Sequence, residues 1–215
     1  MVNLVTIALP KGRLADQTLD LLERLGIDCR EVREESRKLI FTTNDGAIRF
    51  ILVKPSDVPA YVEYGTADMG IAGKDTLLEE GRQLYEMLDL NLGRCRLAVA
   101  GFPERKNSGI TNSRLRVATK YPNITKNYFS GKWEAVEIIK LNGSVELGPL
   151  TGLADVIVDI VESGRTLAEN GLVVLEEICP VSARLVVNQV SLKTKNDEIG
   201  RIIEGLRELL KGERS

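Results

Sequence analysis

The stretch GLADVIVDI at residues 152–160 decides the fold, because a related stretch, GTADMGIAG, occurs earlier at residues 65–73. Both begin with the pattern Gly-x-Ala-Asp and continue as an apolar run that is typical of a buried strand. A second pattern, Thr-Leu-x-Glu-x-Gly, then follows in both places, at 76–81 and at 166–171, after three more residues in the second copy. Two matches in the same order predict two similar α/β lobes.

Short apolar strands alternate with turns and amphipathic helices along the chain, which is typical of an α/β fold with largely parallel sheets. The stretch LVTIAL (4–9) is the first such strand, and a helix predicted from Asp197 carries its isoleucines and leucines on one stripe. No linker rich in glycine or serine separates the lobes, so we expect short crossovers. The predicted first lobe comprises residues 1–92 and 180–215, the second comprises residues 93–179, and a central cleft would lie between them.

The composition is that of a globular protein without a strong charge preference. Of the 215 residues, 43% are hydrophobic and 28% are charged, and the formal net charge is −2. This balance gives no reason to expect nucleic acid or a membrane as a partner. No apolar run reaches the roughly 18 residues of a transmembrane helix, and the first residues lack the pattern of a signal peptide, so we expect a cytoplasmic protein.

The sequence contains no histidine, which excludes Ser-His-Asp and Cys-His catalysis as well as histidine-ligated zinc. The three cysteines, Cys29, Cys95 and Cys179, are far apart and form no CxxC pair, so we expect thiols. An enzyme of this composition would have to use carboxylates, cations, backbone amides or a bound ion.

A carboxylate interrupts the apolar run of DVIVDIVESGRTLAENG, at Asp159. Open α/β sheets bind ligands at the carboxyl ends of their strands, which is where this carboxylate is predicted to lie. Ser163, Gly164 and Thr166 follow at the start of a helix, where hydroxyls and amides favour a phosphate. The arrangement suits a phosphorylated sugar, with the carboxylate on ribose hydroxyls. Alternatively, Asp159 ends a strand and Ser163 or Thr166 caps a helix.

Two further turns between a strand and a helix carry candidate side chains. Lys11, Gly12 and Arg13 form a basic turn after the first strand, and Gly143 with Ser144 precedes Glu146 at another. The alternatives are a solvated basic loop and a carboxylate that only stabilises the first turn of a helix. Neither GxGxxG nor GxxxxGK[ST] occurs, which argues against an ordinary Rossmann or P-loop protein.

The turns and strands together resemble the ATP phosphoribosyltransferase family over nearly the whole chain. The segments that carry the resemblance are LPKGRL (9–14), SRKLIF (36–41), DVPAYVEYGTADMGIAGKD (57–75), RVATKYPN (116–123), KLNGSVELGPLTGLAD (140–155) and VDIVESGRTLAENGL (158–172). The resemblance implies two lobes of the type II periplasmic-binding-protein kind. It also implies a reaction in which N1 of ATP displaces pyrophosphate from phosphoribosyl pyrophosphate, with Mg²⁺, in the first step of histidine biosynthesis.

The resemblance also implies roles for particular residues. The catalytic residues would be Arg13, Arg37, Glu146 and Asp159; the phosphoribosyl pyrophosphate loop would comprise Asp159, Glu162, Ser163, Gly164, Arg165, Thr166 and Leu167; and Lys11, Gly12, Arg13, Gly143 and Ser144 would bind ATP or phosphate. The Mg²⁺ would arrive with the substrate, with no protein side chain as its ligand. Asp155 would be structural, because its counterpart in the repeat, Asp68, lies outside the phosphate loop.

The family has a long form with an additional regulatory domain that binds histidine, and this chain resembles the short form. The short form works with a regulatory subunit that looks like a histidyl-tRNA synthetase, so the implied assembly is a catalytic homodimer within a hetero-octamer. Two rival hypotheses are a non-catalytic binding protein of the same fold and another phosphoribosyltransferase. ATP as the acceptor is implied only by the resemblance.

Overall fold

The computed structural model describes residues 4–34, 36–106, 114–132 and 135–212. The strands in this part of the chain are β1 (Val5–Pro10), β2 (Ile40–Thr42), β3 (Ile48–Val53), β4 (Met69–Gly73), β5 (Tyr85–Asp89), β6 (Cys95–Gly101), β7 (Leu115–Thr119), β8 (Val136–Lys140), β9 (Val156–Val161), β10 (Val173–Val181) and β11 (Ala183–Val187). The helices are α1 (Arg13–Arg24), α2 (Arg30–Arg33), α3 (Val58–Glu63), α4 (Lys74–Glu80), α5 (Pro122–Gly131), α6 (Leu147–Leu150), α7 (Arg165–Glu169), α8 (Gln189–Thr194) and α9 (Asn196–Gly212).

The chain divides into two compact lobes. The first lobe comprises the residues up to Gly93 and those from Ser182 onward, and the second runs from Arg94 to Val181. The boundaries in the structure fall one and two residues after those predicted from the sequence. Residues 1–3 and 213–215 of the predicted first lobe lie outside the described residues.

Each lobe is built on its own mixed sheet. The strand order is β2-β3-β1-β4-β11-β5 in the first lobe and β10-β6-β9-β7-β8 in the second. Strands β3, β1 and β4 are parallel, as are β8, β7 and β9, whereas β11 and β6 run antiparallel to both of their neighbours. The prediction of largely parallel sheets was therefore wrong for these strands, because in each lobe a strand from a distant part of the chain is inserted antiparallel.

The two sheets share a five-stranded arrangement, β3-β1-β4-β11-β5 and β8-β7-β9-β6-β10, which agrees with the two similar lobes that the internal repeat predicted; β2 extends the first sheet only. Asp68 and Asp155, the aspartates of the two Gly-x-Ala-Asp copies, occupy equivalent places. The N–H of Asp68 donates to Thr6 O on β1, and Thr6 N–H donates back to the Asp68 carboxylate at 2.8 Å. Asp155 exchanges the same two hydrogen bonds with Arg116 on β7, the one to its carboxylate being 2.9 Å. The repeated aspartate thus links the strand that follows it to β1 in the first lobe and to β7 in the second.

The largest hydrophobic core lies in the first lobe, where α1 and α9 cover one face of the sheet. Helix α9 buries the stripe predicted from the sequence, including Ile199, Ile203 and Leu206. Burial of this stripe, at about 25 cal/mol per Å² of apolar surface, holds the C-terminal helix on the lobe. Cys29, Cys95 and Cys179 are thiols, as predicted. Within the described ranges no helix is long and apolar enough to cross a membrane.

Candidate active site

Asp159 lies near the carboxyl end of β9 and is half-buried. The alternation of side chains along a strand places it on the same face as Ile157 and Val161, which belong to the core packed under α7. The N–H of Ile160 donates to Asp159 Oδ1 at 2.9 Å, which fixes the orientation of the carboxylate. A rigid, partly desolvated carboxylate at this edge can accept hydrogen bonds from the hydroxyls of a sugar.

The loop from Glu162 to Thr166 follows directly. Gly164 has a φ of 77°, a left-handed conformation that favours glycine, and the buried side chain of Leu167 anchors the helix after it. Ser163 Oγ accepts a hydrogen bond from Arg165 N–H at 3.3 Å, but the N-cap residue of α7 is Gly164 and no side chain caps this helix, so the alternative in which Ser163 or Thr166 serves as the cap is wrong. The Thr166 hydroxyl is exposed and has no hydrogen-bond partner among the described residues. Helix α7 has only five residues, so its macrodipole is weak. An anion here would be held mainly by amides and hydroxyls.

A second loop, after β8, reaches the same edge, because β7, β8 and β9 are parallel. Ser144 adopts a φ of 48°, and Val145 is buried beneath it. Glu146 is half-buried and makes no hydrogen bond or ion pair with any described residue. A partly buried carboxylate without a partner in the described chain is available to accept hydrogen bonds from a ligand.

The first lobe gathers cations at the carboxyl edge of its own sheet. The N–H of Lys11 donates to Val53 O at 2.9 Å, so the basic turn after β1 lies beside the end of β3. Gly12 has a φ of 104°, and its carbonyl accepts from Ala15 N–H at 2.8 Å at the start of α1. Arg37 is exposed just before β2; because β2 is antiparallel to β3, it lies at this edge too.

Lys54 is a candidate that the sequence did not reveal. It follows the last residue of β3, and the register of β1 with β3 pairs Pro10 with Val53, so Lys54 lies next to Lys11. Both lysines are exposed, and neither side chain has a partner in the described part of the chain. Two adjacent unpaired ammonium groups repel each other, and a polyanion would relieve that repulsion. In the sequence, Lys54 is only one lysine at the end of a strand. The strand order is needed to place it beside Lys11.

Asp155, predicted to be structural, is bound by two arginines. Its carboxylate lies 2.6 Å from Arg105 and 3.4 Å from Arg116 Nε, and it also accepts the Arg116 N–H. Burial alone would raise the pKa of Asp155, but the hydrogen bonds from Arg116 and the charges of both arginines lower it below its usual range. A carboxylate occupied in this way is not available to a substrate.

The chemical character of the two edges differs. The edge in the second lobe presents carboxylates and a loop of hydroxyls and amides, and the edge in the first lobe presents cations. Carboxylates suit the hydroxyls and developing positive charge of a sugar, and cations suit a phosphate leaving group.

A sequence profile of the HisG family, described as ATP phosphoribosyltransferase, matches residues 54–208. The ATP phosphoribosyltransferase of Lachnoclostridium phytofermentans is 60% identical over 208 residues, which are 96% of this chain and 97% of that protein. The ATP phosphoribosyltransferase of Caldanaerobacter subterraneus is 56% identical over 211 residues, with 98% and 100% covered.

Two solved structures have similar folds. The ATP phosphoribosyl transferase (HisG:HisZ) complex of Thermotoga maritima contains a chain with a TM-score of 0.84 and 38% identity, covering 98% of this chain and 100% of that one. A double mutant of the BvgS VFT2 domain of Bordetella pertussis has a TM-score of 0.56 at 13% identity, covering 94% and 87%, and shows the fold alone. The predicted fold class, the type II periplasmic-binding-protein kind, is confirmed.

Proposed function

Because this chain belongs to the ATP phosphoribosyltransferase family, we propose that the loop after β9 binds phosphoribosyl pyrophosphate and that the basic edge of the first lobe binds its leaving pyrophosphate. The observation that carries the proposal is the placement of Asp159 immediately before a loop of hydroxyls and amides whose Thr166 hydroxyl has no partner in the described residues.

The enzyme is a glycosyltransferase that transfers the phosphoribosyl group from phosphoribosyl pyrophosphate to N1 of ATP. Pyrophosphate is released, and the reaction is the first step of histidine biosynthesis. N1 of adenine carries a lone pair at neutral pH, so the attack needs no strong base. The absence of histidine from the sequence is therefore compatible with the chemistry.

The barrier lies in the departure of pyrophosphate and in the oxocarbenium-like charge on the ribose. Asp159 and Glu146 bind the ribose side, where their negative charge stabilises the developing positive charge. The amides and hydroxyls from Ser163 to Leu167 hold the 5′-phosphate. Lys11, Arg13 and Arg37, together with Lys54, bind the phosphates of the leaving group or of ATP.

Mg²⁺ is the proposed cofactor; carried by the substrate, it would supply positive charge to neutralise the departing pyrophosphate. The carboxylate oxygens of Asp159 and Glu146 are the donor type that Mg²⁺ prefers. No cluster of three or more potential metal-binding side chains was found in the described residues. Any direct contact from these carboxylates would then supplement ligands that come from the substrate.

The loop assignment is tested by a double variant, Ser163→Ala with Thr166→Ala. We expect the KM for phosphoribosyl pyrophosphate to rise more than kcat falls, because the two hydroxyls contact the 5′-phosphate equally in the ground and transition states. The rate of pyrophosphate release is measured as the concentration of each substrate is varied in turn. The control is Ser130→Ala, a substitution of an exposed serine. A change confined to the KM for ATP would show that this loop does not bind phosphoribosyl pyrophosphate.

The proposed assembly is a homodimer that joins a histidyl-tRNA-synthetase-like regulatory subunit in a hetero-octamer, in the cytoplasm. This proposal is supported by the similarity to a chain of the T. maritima HisG:HisZ complex. The similarity covers the whole length of that chain. This similarity also supports the short form of the family.

The isolated chain is expected to ignore histidine, because in this proposal the histidine site belongs to the regulatory subunit. Adding that subunit should raise the activity and confer inhibition by histidine, through a coupling free energy between two sites. Calorimetric titration of the purified chain with histidine, beside an activity assay, checks this. Saturable binding of histidine to the isolated chain, together with inhibition of its activity, would contradict the partner assignment.

A further inference from the structure

Lys120 lies beside Asp159 in the second lobe. The register of β7 with β9 pairs Ala118 with Ile157 and Thr119 with Val158. Lys120 immediately follows Thr119, so the same register places it next to Asp159. The carboxyl ends of these two parallel strands therefore bring a lysine and the proposed ribose-binding carboxylate to adjacent positions.

Lys120 directly follows the last residue of β7, at the carboxyl end of the strand next to the one that carries Asp159. Ala118 and Ile157 belong to one core cluster, which also contains Ala98, the neighbour of Asp159 on β6. Because side chains alternate along a strand, Asp159 shares the face of Ile157 and of its neighbour Ala98. This is the face from which the loop after β9 continues into α7.

The backbone around Lys120 is held rigidly. Thr119 is fully buried; its Oγ1 donates to Val158 O at 2.7 Å and accepts from Tyr121 N–H at 2.8 Å. Thr119 O accepts from Leu141 N–H at 2.9 Å. The lysine side chain is exposed and has no hydrogen bond or ion pair with the rest of the described chain. The fold thus fixes the origin of a free ammonium group at the loop.

The loop needs a cation that it does not itself supply. The carboxylates Asp159, Glu146 and Glu162 lie around it. The arginines nearby are engaged with other carboxylates: Arg96, which pairs with Val161, lies 2.8 Å from Glu177, and Arg165 lies 2.8 Å from Glu169. A phosphate dianion brought to this edge would be repelled by these carboxylates. A lysine acts as a mobile point charge for phosphate, which suits this position.

We propose that Lys120 supplies the ammonium group that binds the 5′-phosphate of phosphoribosyl pyrophosphate. The inference rests on the proposed function, in which the loop after β9 holds that phosphate. It specifies a side chain that the loop itself lacks, from the strand next to it. The pyrophosphate end of the substrate is left to the cations of the first lobe.

The test compares Lys120→Gln with a matched control, Lys140→Gln. Lys140 is also exposed, lies at the end of the adjacent strand β8 and pairs with Thr119, which places it on the face opposite to that of Asp159. In Lys120→Gln we expect the KM for phosphoribosyl pyrophosphate and the inhibition constant of ribose 5-phosphate to rise roughly tenfold or more. Inhibition by pyrophosphate and the KM for ATP should stay unchanged, and Lys140→Gln should match the wild type. Lys120→Arg should recover much of the affinity.

Unchanged affinity for ribose 5-phosphate in a folded Lys120→Gln protein would overturn the inference, as would a loss confined to pyrophosphate inhibition. The Ser163→Ala/Thr166→Ala variant is titrated with ribose 5-phosphate in parallel. If it too binds normally, the loop assignment in the proposed function fails. If only the loop variant binds weakly, the loop assignment holds and the Lys120 assignment alone fails.

Discussion

Replacing Asp159 by asparagine is expected to lower kcat/KM roughly 30- to 1,000-fold. This corresponds to a loss of about 2–4 kcal/mol of transition-state stabilisation. The carboxylate is half-buried and oriented by the N–H of Ile160, so its charge acts on the ribose at low dielectric. Asparagine keeps the shape and one acceptor oxygen but removes the charge. Steady-state rates with both substrates, at saturating Mg²⁺, measure the loss.

The matched control is Glu137→Gln, which removes an exposed carboxylate from β8. It should leave kcat/KM unchanged. Thermal unfolding of both variants separates a lost charge from a lost fold, because Asp159 lies partly in the sheet. A folded Asp159→Asn enzyme with wild-type kcat/KM would end the assignment of this residue to the reaction.

Replacing Asp68 by alanine should lower the free energy of unfolding by about 3 kcal/mol, because it leaves a partly buried lysine without its counter-ion. The Asp68 side chain is 7% exposed and lies 2.8 Å from Lys195 Nζ. It also accepts hydrogen bonds from Thr6 N–H at 2.8 Å and from Ser191 Oγ at 2.6 Å. The variant would leave the Thr6 N–H and the Ser191 hydroxyl without this acceptor, while Lys195 Nζ would keep only its hydrogen bond to Leu4 O at 2.7 Å. Denaturation in urea, followed by circular dichroism, gives the change.

Lys195→Met completes a double-mutant cycle with Asp68→Ala, and the pair should show a clear coupling energy. Lys193→Met, two residues earlier on α8, is the control, since Lys193 is exposed and should change stability by less than about 0.5 kcal/mol. Additive effects of Asp68→Ala and Lys195→Met would show that the two groups do not act as a pair.

The repeat in the sequence predicted the two-lobed fold because it reports local structure, a strand preceded by Gly-x-Ala-Asp, twice. The same local signals located the loop at Ser163 and the structural role of Asp155. Pairing between distant segments left no such signal. Strand β11 lies between β4 and β5 although more than ninety residues separate it from either.

Lys54 and Lys120 show the same limit at the candidate site. Each is a single lysine after a strand, which a sequence describes equally well as a solvated surface residue. Their neighbours, Lys11 and Asp159, are set by the strand order and register, and these are products of the whole core. Residues that share one loop can be assigned to a common site from the sequence of that loop. Residues that meet across adjacent strands cannot, because the strand order is not visible in the local sequence.

The discontinuity of the first lobe affects how the protein can fold during synthesis on the ribosome. The second lobe is continuous from Arg94 to Val181 and leaves the exit tunnel as a complete unit. The first lobe must wait for β11, which fills the gap between β4 and β5. Nascent chains usually fold from the N-terminus onward. Here the later-made lobe can finish first, while the edges of β4 and β5 stay unpaired and open to pairing with another chain.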